Sequence, residues 1–177
     1  MRRAGYRVVL VRDPGSTALG RALRRVLLHL PGPLSALQEA LLFIGGRVAL
    51  VEERIAPALR RGAVVICDRF HDSTVVYQGF GGQLDVRWLD RMGKCAIGGV
   101  MPHLTILLDL PVAKGFARLH RSRDRMERKA RQFHERVRQG YHRLARRDPD
   151  RFIVINASRA PERVRHHMES VVMKRLG

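Results

Sequence analysis

Ala63-Val64-Val65-Ile66, running into Cys67-Asp68-Arg69-Phe70-His71-Asp72-Ser73-Thr74-Val75-Val76-Tyr77-Gln78-Gly79-Phe80-Gly81-Gly82, is the stretch whose reading decides the fold. Its short, largely β-branched apolar run is bounded by Arg60-Arg61-Gly62 and stopped by charge, which predicts a buried strand. Open parallel sheets bind ligands beyond the carboxyl ends of their strands, and Asp68 and Arg69 stand at such an end. The carboxylate can hold a hydrated metal ion and the guanidinium can fork onto a phosphate. An Asp-Arg ion pair capping the strand accounts for the same two residues, and spacing alone divides the two readings evenly.

Upstream, Met1-Arg2-Arg3-Ala4-Gly5 precedes the β-branched run Tyr6-Arg7-Val8-Val9-Leu10-Val11-Arg12, so the chain opens on the tail of a helix, or a frayed segment, and then a strand. Asp13-Pro14-Gly15-Ser16-Thr17 is a turn, followed by a helix from about Thr17 to His29 with Leu19 and Leu23 on its core face. Gly15-x-x-x-x-Gly20-Arg21-Ala22 has the glycine spacing of a P-loop, but Arg21 stands for the Lys and Ala22 for the hydroxyl residue that would hold magnesium. Ser35 is placed to cap a long helix over Ala36 to Arg60, with Leu37, Leu41, Leu42, Val48, Val51, Ile55 and Leu59 at helical spacing and Pro57 as a kink or a new turn. Phe43 and Arg47, four apart, share one helix face. A ring and a guanidinium there could stack a base and bond its edge; spacing alone favours a core Phe and a surface Arg.

Downstream, a helix from about Val86 to Gly93 leads through Gly98-Gly99-Val100-Met101-Pro102 to a strand over Leu104–Leu110, and Pro111 opens another helix. Arg118, Arg121, Arg123, Arg125 and Arg128 then crowd a short stretch with Asp124 and Glu127. This run reads either as a solvated or RNA-binding face, or as a lid whose arginines neutralise a transferring phosphoryl group. A helix from about Lys129 to Arg147, a strand over Phe152–Asn156 and a helix from Pro161 complete the chain. No repeat or linker interrupts it, so residues 1–177 are expected to form one domain, an α/β fold with parallel strands flanked by helices.

The length of 177 residues and 45% hydrophobic content suit one domain with a real core. No apolar run approaches a membrane span, and no signal-peptide core follows Met1-Arg2-Arg3. Cys67 and Cys95 are too few for a disulfide scaffold, so a cytoplasmic location is expected. Thirty-four Lys and Arg against sixteen Asp and Glu give +18, which draws polyanions, although an arginine-rich composition on solvated faces produces the same balance. Aromatics at 6% do not interleave with the basic residues as a single-strand stacking platform requires.

The stretch Asp68-Arg69-Phe70-x-x-Ser73-x-x-Val76-Tyr77-Gln78-Gly79 resembles the Asp-Arg-Tyr-x-x-Ser-x-x-Ala-Tyr-Gln-Gly signature of thymidylate kinases. The likeness runs from about Gly5 to the end of the chain. Asp13-Pro14-Gly15-Ser16-Thr17 is similar to the family's Glu-Pro-Gly-Gly-Thr, Leu41-Leu42-Phe43-x-x-x-Arg47 to its Leu-Leu-Phe-x-x-x-Arg, and Asp124-Arg125-Met126-Glu127 to the end of its lid. The resemblance implies transfer of the ATP γ-phosphate to dTMP with Mg2+. It implies that Phe43 stacks on thymine, Arg47 reaches the base edge, and Thr74 and Gln78 line the base pocket. Tyr77 packs by the sugar, Arg69 holds the acceptor phosphate, and Asp13 and Arg24 lie at the monophosphate. Asp68 orients the magnesium shell through water, and Arg118, Arg121, Arg123 and Arg125, in a lid at about 118–128, supply the catalytic charge. A homodimer is implied as well.

The family's Gly-x-x-x-x-Gly-Lys-Ser/Thr loop has no counterpart in these residues. Four strands are counted where the nucleoside-monophosphate-kinase fold has five, the missing one being the first and central strand that leads into that loop. The expectation is therefore an N-terminally truncated kinase, inactive alone, or one whose P-loop sits on a separate chain. The alternative is a non-catalytic relative that senses dTMP or binds nucleic acid through its basic surface.

Overall fold

A computed structural model describes residues 1–119 and 123–176, apart from the Arg3 side chain. The chain forms two compact units, Met1–Met101 with Asp124–Arg128, and Pro102–Arg123 with Lys129–Gly177.

In the first unit β1 (Val8–Arg12) and β2 (Val64–Asp68) pair in parallel, in a register that runs from Val8 opposite Val64 to Arg12 opposite Asp68. Parallel neighbours need a crossover, and helices supply it: α1 (Ala18–His29), α2 (Ala36–Leu50), a π-helical turn Val51–Ile55, and α3 (Ala56–Arg60). The Thr17 hydroxyl caps α1 by accepting from the Gly20 N–H, and Ser35 with Gln38 makes a reciprocal capping box on α2. Pro57 has no N–H to offer the carbonyl four residues back, and its ring crowds that carbonyl. The long helix continues past it by widening into the π-turn immediately before.

Beyond β2, α4 (His71–Thr74) continues as a π-helical segment Val75–Gly81, and α5 (Val86–Ala96) follows with Asp85 capping the N–H groups of Arg87 and Trp88. One sheet face, carrying Val9, Val11, Val65 and Cys67, packs on Leu50, Val51, Ile55 and Ile97. On the other face Leu10 and Ile66, partners in register, are 61% and 44% exposed.

The spaced leucines of α2 are not its buried stripe. Leu37 and Leu41 are exposed, as is Leu59 of α3, while Glu39, Ala40, Ile44, Arg47 and Leu50 are buried; of the expected stripe, Val51 and Ile55 of the π-turn are buried. On α1, Leu19 is likewise exposed and Leu27 is fully buried. Helical spacing identifies a stripe but not which stripe faces inward; here the buried face of α2 carries two charged residues because they find partners there. The two glycines of α2 differ. A Cβ on Gly46 would lie 3.3 Å from a Leu23 methyl and 3.6 Å from Pro14, so its lack of a side chain lets α1 and the β1–α1 turn approach; Gly45 has open space.

In the second unit β3 (Thr105–Asp109) and β4 (Phe152–Asn156) also pair in parallel, Thr105 opposite Phe152 through Asp109 opposite Asn156. The crossover carries α6 (Val112–Ala117) and α7 (Arg131–Arg147), and α8 (Pro161–Leu176) closes the unit. Phe133 and Val137 of α7 are buried. These four strands are those expected, in two parallel pairs, among the described residues. No helix among them is long and apolar enough to cross a membrane.

Candidate active site

The parallel register sets Arg12 beside Asp68, and the Arg12 Nε donates to Asp68 Oδ2 at 2.9 Å. The ion pair that caps β2 is thus made across the strands, and the Arg69 guanidinium lies instead over the Tyr77 ring, 5.1 Å from its centroid. Arg69 has φ 66, in the left-handed region that non-glycine residues enter at a cost of roughly 1–3 kcal/mol. The Cys67 thiol donates to the Arg69 carbonyl at 2.9 Å and braces this turn. Burial, with Asp13 and Asp68 nearby, pushes that thiol up to about 12, so it stays a donor.

The face of α2 that carries the buried Glu39 and Arg47 holds the hydrogen-bonded part of the site. Glu39, Phe43 and Arg47 follow at intervals of four and so stack along one side of the helix. Arg47 is 1% exposed. Its Nε donates to Asp13 Oδ2 at 2.5 Å, its Nη2 to Thr74 Oγ1 at 2.8 Å, and its Cζ lies 5.5 Å from the Phe70 ring centroid. Burial raises the Asp13 carboxyl's pKa while Arg47 pulls it the other way.

One helical turn beyond Thr74, Gln78 donates its Nε2 to Glu39 Oε2 at 2.9 Å. Two helix faces therefore meet side chain to side chain, Thr74 on Arg47 and Gln78 on Glu39, with Phe43 between the two contacts on α2. Three buried atoms here have no hydrogen-bond partner: Asp13 Oδ1, Arg47 Nη1 and Gln78 Oε1. Buried polar atoms left unpaired cost about 1–3 kcal/mol each, and such a cluster is what a polar ligand edge would satisfy.

Arg24 reaches back across Gly15 and donates Nη1 to the Pro14 carbonyl at 3.3 Å. With Arg12, Arg21, Arg25 and His29 it lines an open cleft of about 390 Å³ beside that turn. The P-loop-like glycines close on themselves: a Cβ on Gly20 would lie 2.9 Å from Thr17 Oγ1 and 3.0 Å from the Gly15 nitrogen, leaving no room for a phosphate between them.

Of the arginines expected in a lid, Arg121 lies outside the described residues. Arg118 donates to the Ala157 carbonyl at 3.0 Å and Arg123 lies 4.3 Å from the Phe116 ring centroid, both in the second unit. Arg125 belongs to the first unit and is committed elsewhere: Nε to the Leu27 carbonyl at 2.7 Å and Nη1 to Glu39 Oε1 at 2.8 Å. Its turn is fixed by Asp124 and Glu127, each side chain accepting from the other's backbone N–H at 2.9 and 3.0 Å. Glu39, fully buried and shared by Gln78 and Arg125, escaped the sequence reading. The signal was there, a carboxylate four residues before Phe43 and eight before Arg47 on one helix face.

Parallel strands, basic groups beyond their carboxyl ends and a ring-and-arginine helix face define an α/β nucleotide-handling protein. The model of the family described as thymidylate kinase matches residues 1–168. The chain belongs to the thymidylate kinase family, and so to the nucleoside monophosphate kinases, which are phosphotransferases. It is 46% identical over 176 residues to a thymidylate kinase of Synechococcus sp. (strain JA-2-3B'a(2-13)), covering 99% of this chain and 84% of that protein. It is also 46% identical over 170 residues to one from Desulfovibrio desulfuricans, covering 90% of this chain and 78% of that protein. The crystal structure of thymidylate kinase from Ehrlichia chaffeensis superposes with a TM-score of 0.75 at 33% identity, covering 94% of this chain and 80% of that one.

Proposed function

We propose that the first unit is the acceptor site of a kinase that transfers the ATP γ-phosphate to dTMP, giving dTDP. The observation that carries this reading is a pair of unpartnered buried polar atoms, on Arg47 one helical turn after Phe43 and on Gln78, which bonds Glu39 one turn before it. The Arg47 Nη1 is a donor without a partner, and Gln78 Oε1 is an acceptor without one. Thymine presents a carbonyl acceptor beside a ring N–H donor along one edge, which this pair matches.

In this reading Phe43 stacks on the base and Thr74 and Asp13 hold Arg47 in position. Tyr77 packs by the sugar, while Arg69 and Arg24 meet the 5′-phosphate. Arg118 and Arg123 serve the transferring phosphoryl group, and Arg125 anchors the segment rather than reaching that group. Asp68 is an exposed carboxylate with Oδ2 taken by Arg12, and no group of three His, Cys, Asp or Glu suited to a metal occurs among the described residues. A hydrated Mg2+ would be carried by the nucleotide phosphates, with the exposed Asp68 carboxylate touching its water shell. Such an ion would neutralise phosphate charge.

Calorimetric titration of dTMP tests the reading. Arg69→Ala removes a charge-assisted hydrogen bond, worth about 1.5–3 kcal/mol, and should weaken dTMP binding at least about tenfold. Equal affinity in that variant would remove Arg69 from the phosphate site.

A further inference from the structure

We infer that Glu39 is a specificity-determining positioning residue, which fixes the direction of the Gln78 amide and thereby the kind of base edge the site accepts. The inference rests on the acceptor-site reading given above.

A glutamine amide has a donor end and an acceptor end of nearly the same shape, so a buried glutamine can present either. Gln78 is 1% exposed, and its direction is set by what it touches. Glu39 is 0% exposed and paired through Oε1 with Arg125 Nη1 at 2.8 Å, so its other oxygen, Oε2, faces Gln78 as an acceptor. A carboxylate held by a guanidinium offers acceptors only. The Gln78 NH2 must therefore turn toward Glu39, at 2.9 Å, and Oε1 must turn away, where it has no partner in the chain. Flipping the amide would set oxygen against oxygen beside a buried carboxylate.

The consequence lies in the order of the two unpartnered groups, Arg47 Nη1 and Gln78 Oε1. Arg47 can only donate and, with Glu39 in place, the free end of Gln78 can only accept. A pyrimidine with a carbonyl and a ring N–H satisfies both. One with an amino group and a bare ring nitrogen meets donor with donor and acceptor with acceptor. Sites that bond a substrate's polar groups reject mismatched analogues strongly, because the buried groups are left unpaired. Arg125 has a part in this as well: by holding Glu39 Oε1 it leaves Oε2 to accept from the amide, and it ties this function to the Asp124–Arg128 turn.

The test is binding of dTMP and dCMP to the 177-residue chain, to Glu39→Gln and to the doubly neutral Glu39→Gln/Arg125→Gln, with thermal melting of each. The double variant removes both charges together and leaves no guanidinium without its carboxylate, so it serves if the single variant melts early. The wild type should prefer dTMP, and either variant should lose that preference by about tenfold or more, since its Gln78 can flip. Folded variants that keep the wild-type dTMP to dCMP ratio would show Glu39 to be structural only, overturning the inference while leaving the acceptor site intact. A wild-type chain that binds dTMP no better than dCMP would overturn both readings.

Discussion

In the first unit the Arg47 and Asp13 side chains are 1% and 0% exposed, and Arg125 meets a Glu39 that is 0% exposed. In the second unit Arg138 and Asp109, joined by two hydrogen bonds of 2.7 and 2.8 Å, are 36% and 18% exposed, and Arg151 and Asp148 are 17% and 44% exposed. The chemistry of the pairs is the same; their solvation is not. A surface pair contributes about 0–1 kcal/mol, whereas a buried pair carries a desolvation cost that its mutual attraction need not repay. A fold that wanted only stability would fill the face of α2 with apolar residues, several of which it leaves in solvent. Buried charge with unpaired atoms beside it is the feature on which the proposed acceptor site rests.

That contrast can be broken most severely at Arg47. Arg47→Met leaves Asp13 buried and unpaired, and should lower unfolding free energy by about 3–5 kcal/mol in a denaturant titration. Asp13→Leu combined with Arg47→Met should recover most of that loss, because it removes both charges, yet bind no dTMP. Failure to recover would mean that the pair is needed for the fold itself.

Acid should separate the units next. His71 is fully buried, with Nε2 on Asp90 at 2.9 Å and Gly93 so close that a Cβ there would come within 2.4 Å of its ring. Burial lowers its pKa from the ordinary 6.5 despite Asp90. Its contribution is then complete above 6.5 and declines as pH falls from there toward the lowered value, because the unfolded chain binds the proton first.

Asp109 is held below its ordinary 3.8 chiefly by the Arg138 hydrogen bonds, so its contribution is present above 3.8 and is lost only as pH drops further. Melting followed from pH 7.5 to 5 should show the His71 loss. His71→Gln should flatten that slope, and an unchanged slope would assign it to another group. The mildest change is Arg138→Ala, at a partly exposed pair. It should cost no more than about 1 kcal/mol at neutral pH, and a loss approaching that of Arg47→Met would erase the distinction between the units.

The strands and most helices were legible, because β-branched runs, Ser35, Pro111 and Pro161 are local signals. The segment Phe70–Gly82 was read for chemistry but not as helix; Val75, Val76 and three glycines obscure the helical pattern that contacts with α2 and α5 impose. Phe43 and Arg47 could be placed on one face, yet spacing alone put Arg47 at the surface. Its burial depends on Asp13 and Thr74, which lie 34 and 27 residues away in sequence. Glu39 was missed for the same reason. A single carboxylate in an apolar helix looks like the solvated side until Gln78 and Arg125 are brought to it. Arg125 was grouped with its neighbours by charge, and only its bonds to Leu27 and Glu39 set it apart.

The brace under Arg69 has a practical side. Thiolates, not thiols, are alkylated, so the half-buried Cys67, with its pKa pushed up to about 12, is poorly disposed to react, whereas Cys95 is exposed near the end of α5. A maleimide dye added to the unaltered chain at neutral pH should therefore mark one sulfur. The label would sit on the helix that carries Asp90, the partner of His71, and would give a fluorescent reporter of that helix without engineering a cysteine.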